Sequence, residues 1–142
     1  MGRILAIDYG TKRVGLAVTD PLQIIAGPLA TLHSEEVLPF LKEYVPKENV
    51  EEIVLGLPLH ADGNLSGPVE ALRNFETALK RLFPAIPLHR VDERFTSKMA
   101  SDAIAQSSKR KLGKQDKALV DRVAATIILQ SFMDERSGPS RI

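Results

Sequence analysis

Apolar residues run unbroken from Ile4 to Ile7 and stop at Asp8. A run of this length, closed by Asp8-Tyr9-Gly10, predicts a strand buried on both faces. Its period-two alternation puts Ile4, Ala6 and Asp8 on one face. Tyr9 to Arg13 reads as a turn and Val14 to Val18 as the returning strand, with Gly15 and Ala17 small enough for close backbone approach. Leu22 to Leu32, after the Asp20-Pro21 turn, predicts a third strand that Gly27-Pro28 breaks or bulges, as suits an edge. Three strands joined this closely form an antiparallel meander.

The period then changes. Ser34 is placed to cap a helix with Glu35 and Glu36 in its first turn. Val37, Leu38, Leu41 and Val45 form its apolar face, and Pro46 ends it. Ile53 to Leu55 is a short buried strand running into the turn-rich stretch Gly56 to Gly63. Pro68 opens a second helix with the stripe Val69, Leu72, Phe75, Leu79 and Leu82, which Pro84 stops. Ile86 to Val91 is a fifth strand that delivers Asp92-Glu93-Arg94 at its carboxyl end. Thr96 or Ser97 caps a third helix to about Gln106, Ser107 to Gln115 is a polar, basic loop, and a last helix runs from about Lys117 to Asp134. Strands alternating with helices in this half imply parallel pairing. The expected fold is α/β: a mixed five-stranded sheet, three antiparallel strands then two parallel, with helices on both faces. Residues 1–136 make one domain and 137–142 a frayed tail.

Composition narrows the function classes. The 142 residues are 44% hydrophobic and 26% charged, which suits one globular domain with its own core. Cysteine is absent, which excludes disulfides and thiolate metal sites and fits a reducing compartment. No segment has the length of a membrane span and the N-terminus lacks a signal pattern, so no membrane partner and a cytoplasmic location are expected. The net charge is +1, so a nucleic-acid surface would have to come from local clustering. Five Phe, two Tyr and no Trp argue against a base-stacking platform.

The carboxylates carry the candidate chemistry. Asp8 is either a turn-forming residue or an acid that handles metal or phosphate, because a buried charge is costly unless paired or metal-bound. Asp121 shares a helical stripe with Ala125, Ile128 and Phe132; it is either a core-side acid or a partly exposed one favoured by the helix dipole. Asp92 and Glu93 end a strand where functional residues gather in open α/β sheets; for one of the two the plainer alternative is an ion pair with Arg90 or Arg94. Asp8, Glu93 and Asp121 thus come from a central strand, a strand end and the early turns of a helix. Oxygen-only ligands suit Mg²⁺ or Mn²⁺ rather than zinc, and His33, His60 and His89 have no metal spacing and read as surface or loop residues. Two such ions held by acids can activate water for an in-line phosphoryl displacement. Lys109, Arg110, Lys111, Lys114, Lys117 and Arg122 cluster before and within the last helix, and Lys12 and Arg13 follow Asp8. They form either a phosphate-binding rim, which Arg94 joins, or a solvated loop.

The stretches LAIDYGTKRVGLAVTD, IVLGLPLHADG, VDERFTS and DKALVDRVAATIILQSFMD together resemble the YqgF/RuvX family, in the family's order and over nearly the whole chain. The resemblance implies an RNase H-like fold, as in the RuvC resolvases, and a catalytic metal site at Asp8, Glu93 and Asp121. It implies a nuclease that matures the 5′ end of pre-16S ribosomal RNA or, alternatively, resolves Holliday junctions. The partner is then nucleic acid, structured RNA or branched DNA, and the protein a monomer or a homodimer, a resolvase needing two copies to cut symmetrically. His60-Ala61 departs from the family's common Asn-Met and leaves the acids untouched. Asp8-Tyr9-Gly10-Thr11 also resembles the phosphate hairpin of actin-like ATPases, and a binding protein that has lost catalysis is the third reading.

Overall fold

The computed structural model describes residues 2–10, 12–57, 69–92 and 117–137, and the side chains of 57, 69, 92, 117–122 and 136–137 are not described. Five strands form one sheet: β1 (Arg3–Asp8), β2 (Arg13–Thr19), β3 (Ala26–His33), β4 (Val50–Leu57) and β5 (Leu88–Asp92). Their order is β3-β2-β1-β4-β5. β1 pairs antiparallel with β2, and β2 with β3, while β1–β4 and β4–β5 are parallel. The mixed sheet with an antiparallel half and a parallel half is thus the one the hydrophobic pattern predicts. Three α-helices are described: α1 (Val37–Lys47), α2 (Val69–Leu82) and α3 (Lys117–Ser137). The helix expected over 96–106 and the loop over 107–115 lie outside the described residues.

Alternation along the strands sorts the core into two unlike layers. Leu5, Ile7, Val14, Leu16, Ile53 and Leu55 face one way and pack with Val37, Leu41 and Val45 of α1 and Leu72, Phe75 and Leu79 of α2. Ile4, Ala6, Ala17 and Val54 face the other way and pack with Ala125, Ile128 and Leu129 of α3. The first layer is bulky and the second holds three alanines, so α3 rests on small side chains.

Several boundaries differ from the expected ones, each for a local reason. β3 begins at Ala26, four residues later than the apolar run, because Leu22 to Ile25 form a loop whose amides bond Asp20. The expected edge bulge is present: Leu16 pairs with Ala30 and Ala17 with Pro28, which leaves Leu29 as the extra residue. Ser34 does not cap a helix; it opens a 3₁₀ turn, Ser34–Glu36, and the Glu36 carboxylate accepts the His33 N–H at 3.1 Å. Pro46 does not end α1. The Glu48 N–H reaches the Tyr44 carbonyl at 2.9 Å, and Asn49, at φ 55°, turns the chain away. β5 starts at Leu88 rather than Ile86 and extends through Asp92. Among the described residues no helix is long and apolar enough to cross a membrane.

Candidate active site at the carboxyl end of the central strand

β1 is the middle strand of five, and Asp8 is its last residue. Asp8 shares a face with Ile4 and Ala6, as alternation predicts, and that is the face α3 covers. Register then adds what alternation alone does not. Asp8 is level with Gly15 on β2 and with Gly56 on β4. Neighbouring strands lie about 4.8 Å apart. On both flanking strands the residue level with Asp8 is therefore a glycine. Asp8 itself is partly exposed, whereas both glycines are buried.

The turn beyond Asp8 is held from two sides. The Tyr9 ring stacks on Phe75 of α2, with centroids 4.5 Å apart and planes at 28°. The Lys12 carbonyl accepts the Ser34 N–H at 3.1 Å. Gly10 is required here, because a Cβ would come 2.5 Å from the Arg13 carbonyl oxygen. This turn carries Lys12, which is exposed, and Arg13, which is half-buried, to the same end of the sheet as Asp8.

On the parallel side, Gly56 is level with Val91 and Leu57 with Asp92. β5 thus ends one residue before Glu93, at the end of the sheet where β1 ends. Glu93 and Arg94 lie outside the described residues, as do Lys109, Arg110, Lys111 and Lys114. Asp121 is the fifth residue of α3, one turn before Ala125, and Lys117 is the first. Ala125 and Ile128, on the stripe of Asp121, are fully buried against the Ala6 layer. The side chains of Asp121 and Lys117 are not described. Among the described residues no three His, Asp or Glu side chains are grouped to hold a metal.

A cleft of about 990 Å³ lies away from Asp8, along β5 between α2 and α3, lined in part by Lys80, His89, Arg90 and Phe132. Two of its polar side chains, Arg90 and His89, are paired within the fold. Arg90 binds both oxygens of Glu76, at 2.7 and 2.8 Å, and this holds its guanidinium above the ordinary value. His89 Nε2 meets Glu52 at 2.8 Å, and its ring lies 4.9 Å from that of Phe132. His89 is a partly exposed residue of the strand expected there. Among the expected basic and acidic residues, the structure brings Asp8, Lys12 and Arg13 together at one end of the sheet. The register that sets Gly15 and Gly56 level with Asp8, and the Tyr9–Phe75 stack, escape sequence reasoning. A glycine inside an apolar run, as at Gly56, is the signal that marks a close approach.

The sequence profile of the RuvX family, described as Holliday junction resolvase, matches residues 2–135. A Porphyromonas gingivalis protein named "Putative pre-16S rRNA nuclease" is 53% identical over 134 residues, 94% of this chain and 97% of its own. A Flavobacterium psychrophilum protein of the same name is 46% identical over 136 residues, 96% of this chain and 99% of its own. Among solved structures, Thermus thermophilus RuvC aligns with a TM-score of 0.59 at 16% identity over 96% of both chains. RuvC in complex with a Holliday junction substrate aligns at 0.55 and 15% over 97% of both. Likeness at that identity speaks to the fold alone, and it makes the mixed sheet RNase H-like. With the profile spanning almost the whole sequence and relatives this similar at full length, the chain belongs to the RuvX family.

Proposed function

We propose that this protein is a nuclease that hydrolyses phosphodiester bonds with divalent metal, and that its substrate is the 5′ region of precursor 16S ribosomal RNA. The observation that carries the reading is the setting of Asp8: a carboxylate at the carboxyl end of the central strand, level with Gly15 on one side and Gly56 on the other. A carboxylate there is a hard oxygen ligand, which fits Mg²⁺ or Mn²⁺. Asp8, Glu93 and Asp121 would hold the metal. Bound divalent ions supply an activated water and neutralise charge on both oxygens of an in-line displacement. Lys12, Arg13, Arg94, Lys109, Arg110, Lys111, Lys114 and Lys117 would grip the backbone, which positions a strand without reading its sequence. The names of the full-length relatives support the ribosomal substrate, and a cytoplasmic location goes with that reading. The profile description favours a second reading, junction resolution by a homodimer, whereas RNA maturation asks only for a monomer.

One panel separates these readings: 16S precursor RNA with its 5′ leader, single-stranded RNA, a four-way DNA junction and ATP, each with Mn²⁺. Wild type cleaves the precursor, and Glu93→Gln does not, while its affinity for RNA changes little. Gln keeps the size and one carbonyl ligand of Glu93 but loses the charge. Paired nicks in the junction would move the assignment to resolvase. ATP turnover that depends on Thr11, with every nucleic acid intact, would move it to the actin-like class.

A further inference from the structure

Among the described residues three large hydrophobic side chains stand out from the surface: Leu22, Ile24 and Ile25, at 62%, 64% and 69% exposure. They are consecutive but for Gln23 and occupy the loop between β2 and β3. Exposed aliphatics on a floppy loop would mean little. This loop is fixed. The Asp20 carboxylate accepts the N–H groups of Leu22 at 3.1 Å and of Ile24 and Ile25 at 2.8 Å each. The Asp20 carbonyl accepts the Gln23 N–H at 2.9 Å, and the Asp20 N–H reaches the Ile25 carbonyl at 3.3 Å. Gln23 takes the left-handed region, φ 58°, and its amide donates to the Gly2 carbonyl at 2.7 Å and to the Glu51 carboxylate. Below the loop, buried Thr19 accepts the Ile4 N–H at 3.0 Å, and Arg3 donates to the Thr19 carbonyl at 2.9 Å. Every residue of the loop from Asp20 to Ile25 except Pro21 is thus hydrogen-bonded through its backbone or side chain. A rigid apolar knob loses little entropy on binding, which is the advantage of preorganisation.

The knob sits at the start of β1, about 17 Å of strand from Asp8. Among the described residues, the charged side chains bonded to it and to its root are Asp20, Glu51, Glu48 and Arg3, three acids against one base, with Arg3 facing Glu48 at 3.6 Å. This collar repels nucleic acid and the anionic face of a membrane. It also disfavours a second copy, because a two-fold contact centred on the knob would set acid against acid. The neighbouring edge strand is blunted by Pro28 and the Leu29 bulge, which works against sheet-to-sheet pairing. Three aliphatic side chains fall well short of the ~800 Å² per partner of a standard interface, so the knob anchors a wider contact.

We propose that Leu22, Ile24 and Ile25 form a docking knob for a basic protein surface with an apolar pocket, carried by the precursor particle that contains the substrate RNA. The choice of particle rests on the ribosomal-RNA reading; the knob and its acidic collar do not. Docking at this pole leaves the Asp8 end free for RNA, so one molecule can hold the particle and reach the strand.

The test compares wild type with the triple variant Leu22→Ser, Ile24→Ser, Ile25→Ser. Purified small-subunit precursor particles and naked precursor RNA are the two probes, read by co-sedimentation and by cleavage. Thermal melting checks the fold, which exposed positions should leave intact. The expected result is at least a tenfold loss of affinity for particles, with naked-RNA binding and cleavage unchanged. Equal affinity of both proteins for particles would overturn the proposal. So would a wild-type dimer in sedimentation equilibrium that the variant lacks, or flotation with phosphatidylglycerol vesicles that depends on the three residues. Should wild type cleave no RNA while knob-dependent particle binding persists, the nuclease reading fails and the docking surface stands.

Discussion

Two aspartates end strands at opposite poles of one sheet, and their surroundings give them different work. Asp20 follows β2, and three backbone N–H groups converge on its carboxylate. Asp8 ends β1, which runs the other way, and its flanking strands present Gly15 and Gly56 at its level. The charge of Asp20 folds a loop. The charge of Asp8 sits level with two glycines. A carboxylate that takes three of its own chain's amides builds a loop, and one level with two glycines at the carboxyl end of the central strand is a candidate for binding something else. The residue type is the same, and the backbone around it decides the role.

The sharpest way to break this contrast is to neutralise each acid and measure cleavage. Under the proposed function, Asp8→Asn should lower the rate by roughly 1,000-fold. Metal activation supplies several kcal/mol, and each ~1.4 kcal/mol is a factor of ten. Asp20→Ala should leave the rate on naked RNA within about twofold, because it touches only the distant loop. Metal titration by calorimetry should show weakened Mn²⁺ binding for Asp8→Asn alone. If the two variants lose activity alike, the contrast drawn between the poles is wrong.

A smaller effect tests the face on which Asp8 lies. Ala125 is fully buried against Ile4, Ala6, Ala17 and Val54, and Asp121 is one turn before it. Ala125→Leu adds three carbons where the layer has no room, at a cost of about 1–3 kcal/mol. The helix must move off the sheet, and a shift of ~1 Å can cost about 100-fold in rate. Cleavage should therefore fall about 10- to 100-fold at a temperature where circular dichroism reports a fully folded variant. KM should change little. Wild-type kcat in a folded Ala125→Leu protein would mean that the spacing of α3 from β1 does not position the acids.

The fold was legible because alternation is a local signal. Ile4-Leu5-Ala6-Ile7 assigned both faces of β1, and Pro28 announced an edge with a bulge. The α1 and α2 stripes named the residues that the bulky layer buries. Local patterning misled where a side chain captured the backbone. Leu22 to Ile25 read as strand, but the Asp20 carboxylate takes the amides of Leu22, Ile24 and Ile25, its carbonyl takes that of Gln23, and the segment bends into a loop. Ser34 read as a cap, but Glu36 reaches back to His33. Half of the site's logic was legible in the same way: Asp8 at a strand end, on a known face. The flanking glycines were not, since Gly15 and Gly56 meet Asp8 only through pairings with two other strands. Register of that kind depends on the whole sheet, not on any window of sequence. The contact between Tyr9 and Phe75, far apart in sequence, was hidden for the same reason.

The smallest expected effect is a pH response confined to the Asp20 pole. The Ile25 N–H above all, then those of Ile24 and Leu22, hold the Asp20 carboxyl below its ordinary 3.8 against the opposing effect of desolvation. A carboxyl whose folded value is depressed contributes order above its unfolded value, and that order is lost as pH falls through the folded value. The loop should therefore keep its form down to about pH 4 and open only on further acidification. Because the group is at the surface, the change should stay local and leave the melting of the domain almost unaltered. Amide chemical shifts of Leu22, Ile24 and Ile25, followed from pH 7 to pH 2, read it directly. They should stay flat above pH 4 and then move together with a single midpoint below 3.8. Asp20→Ala should show the opened-loop shifts already at pH 7. A midpoint at or above 3.8 would mean that the three amides do not hold the carboxylate, and the knob they build would lose its rigid base.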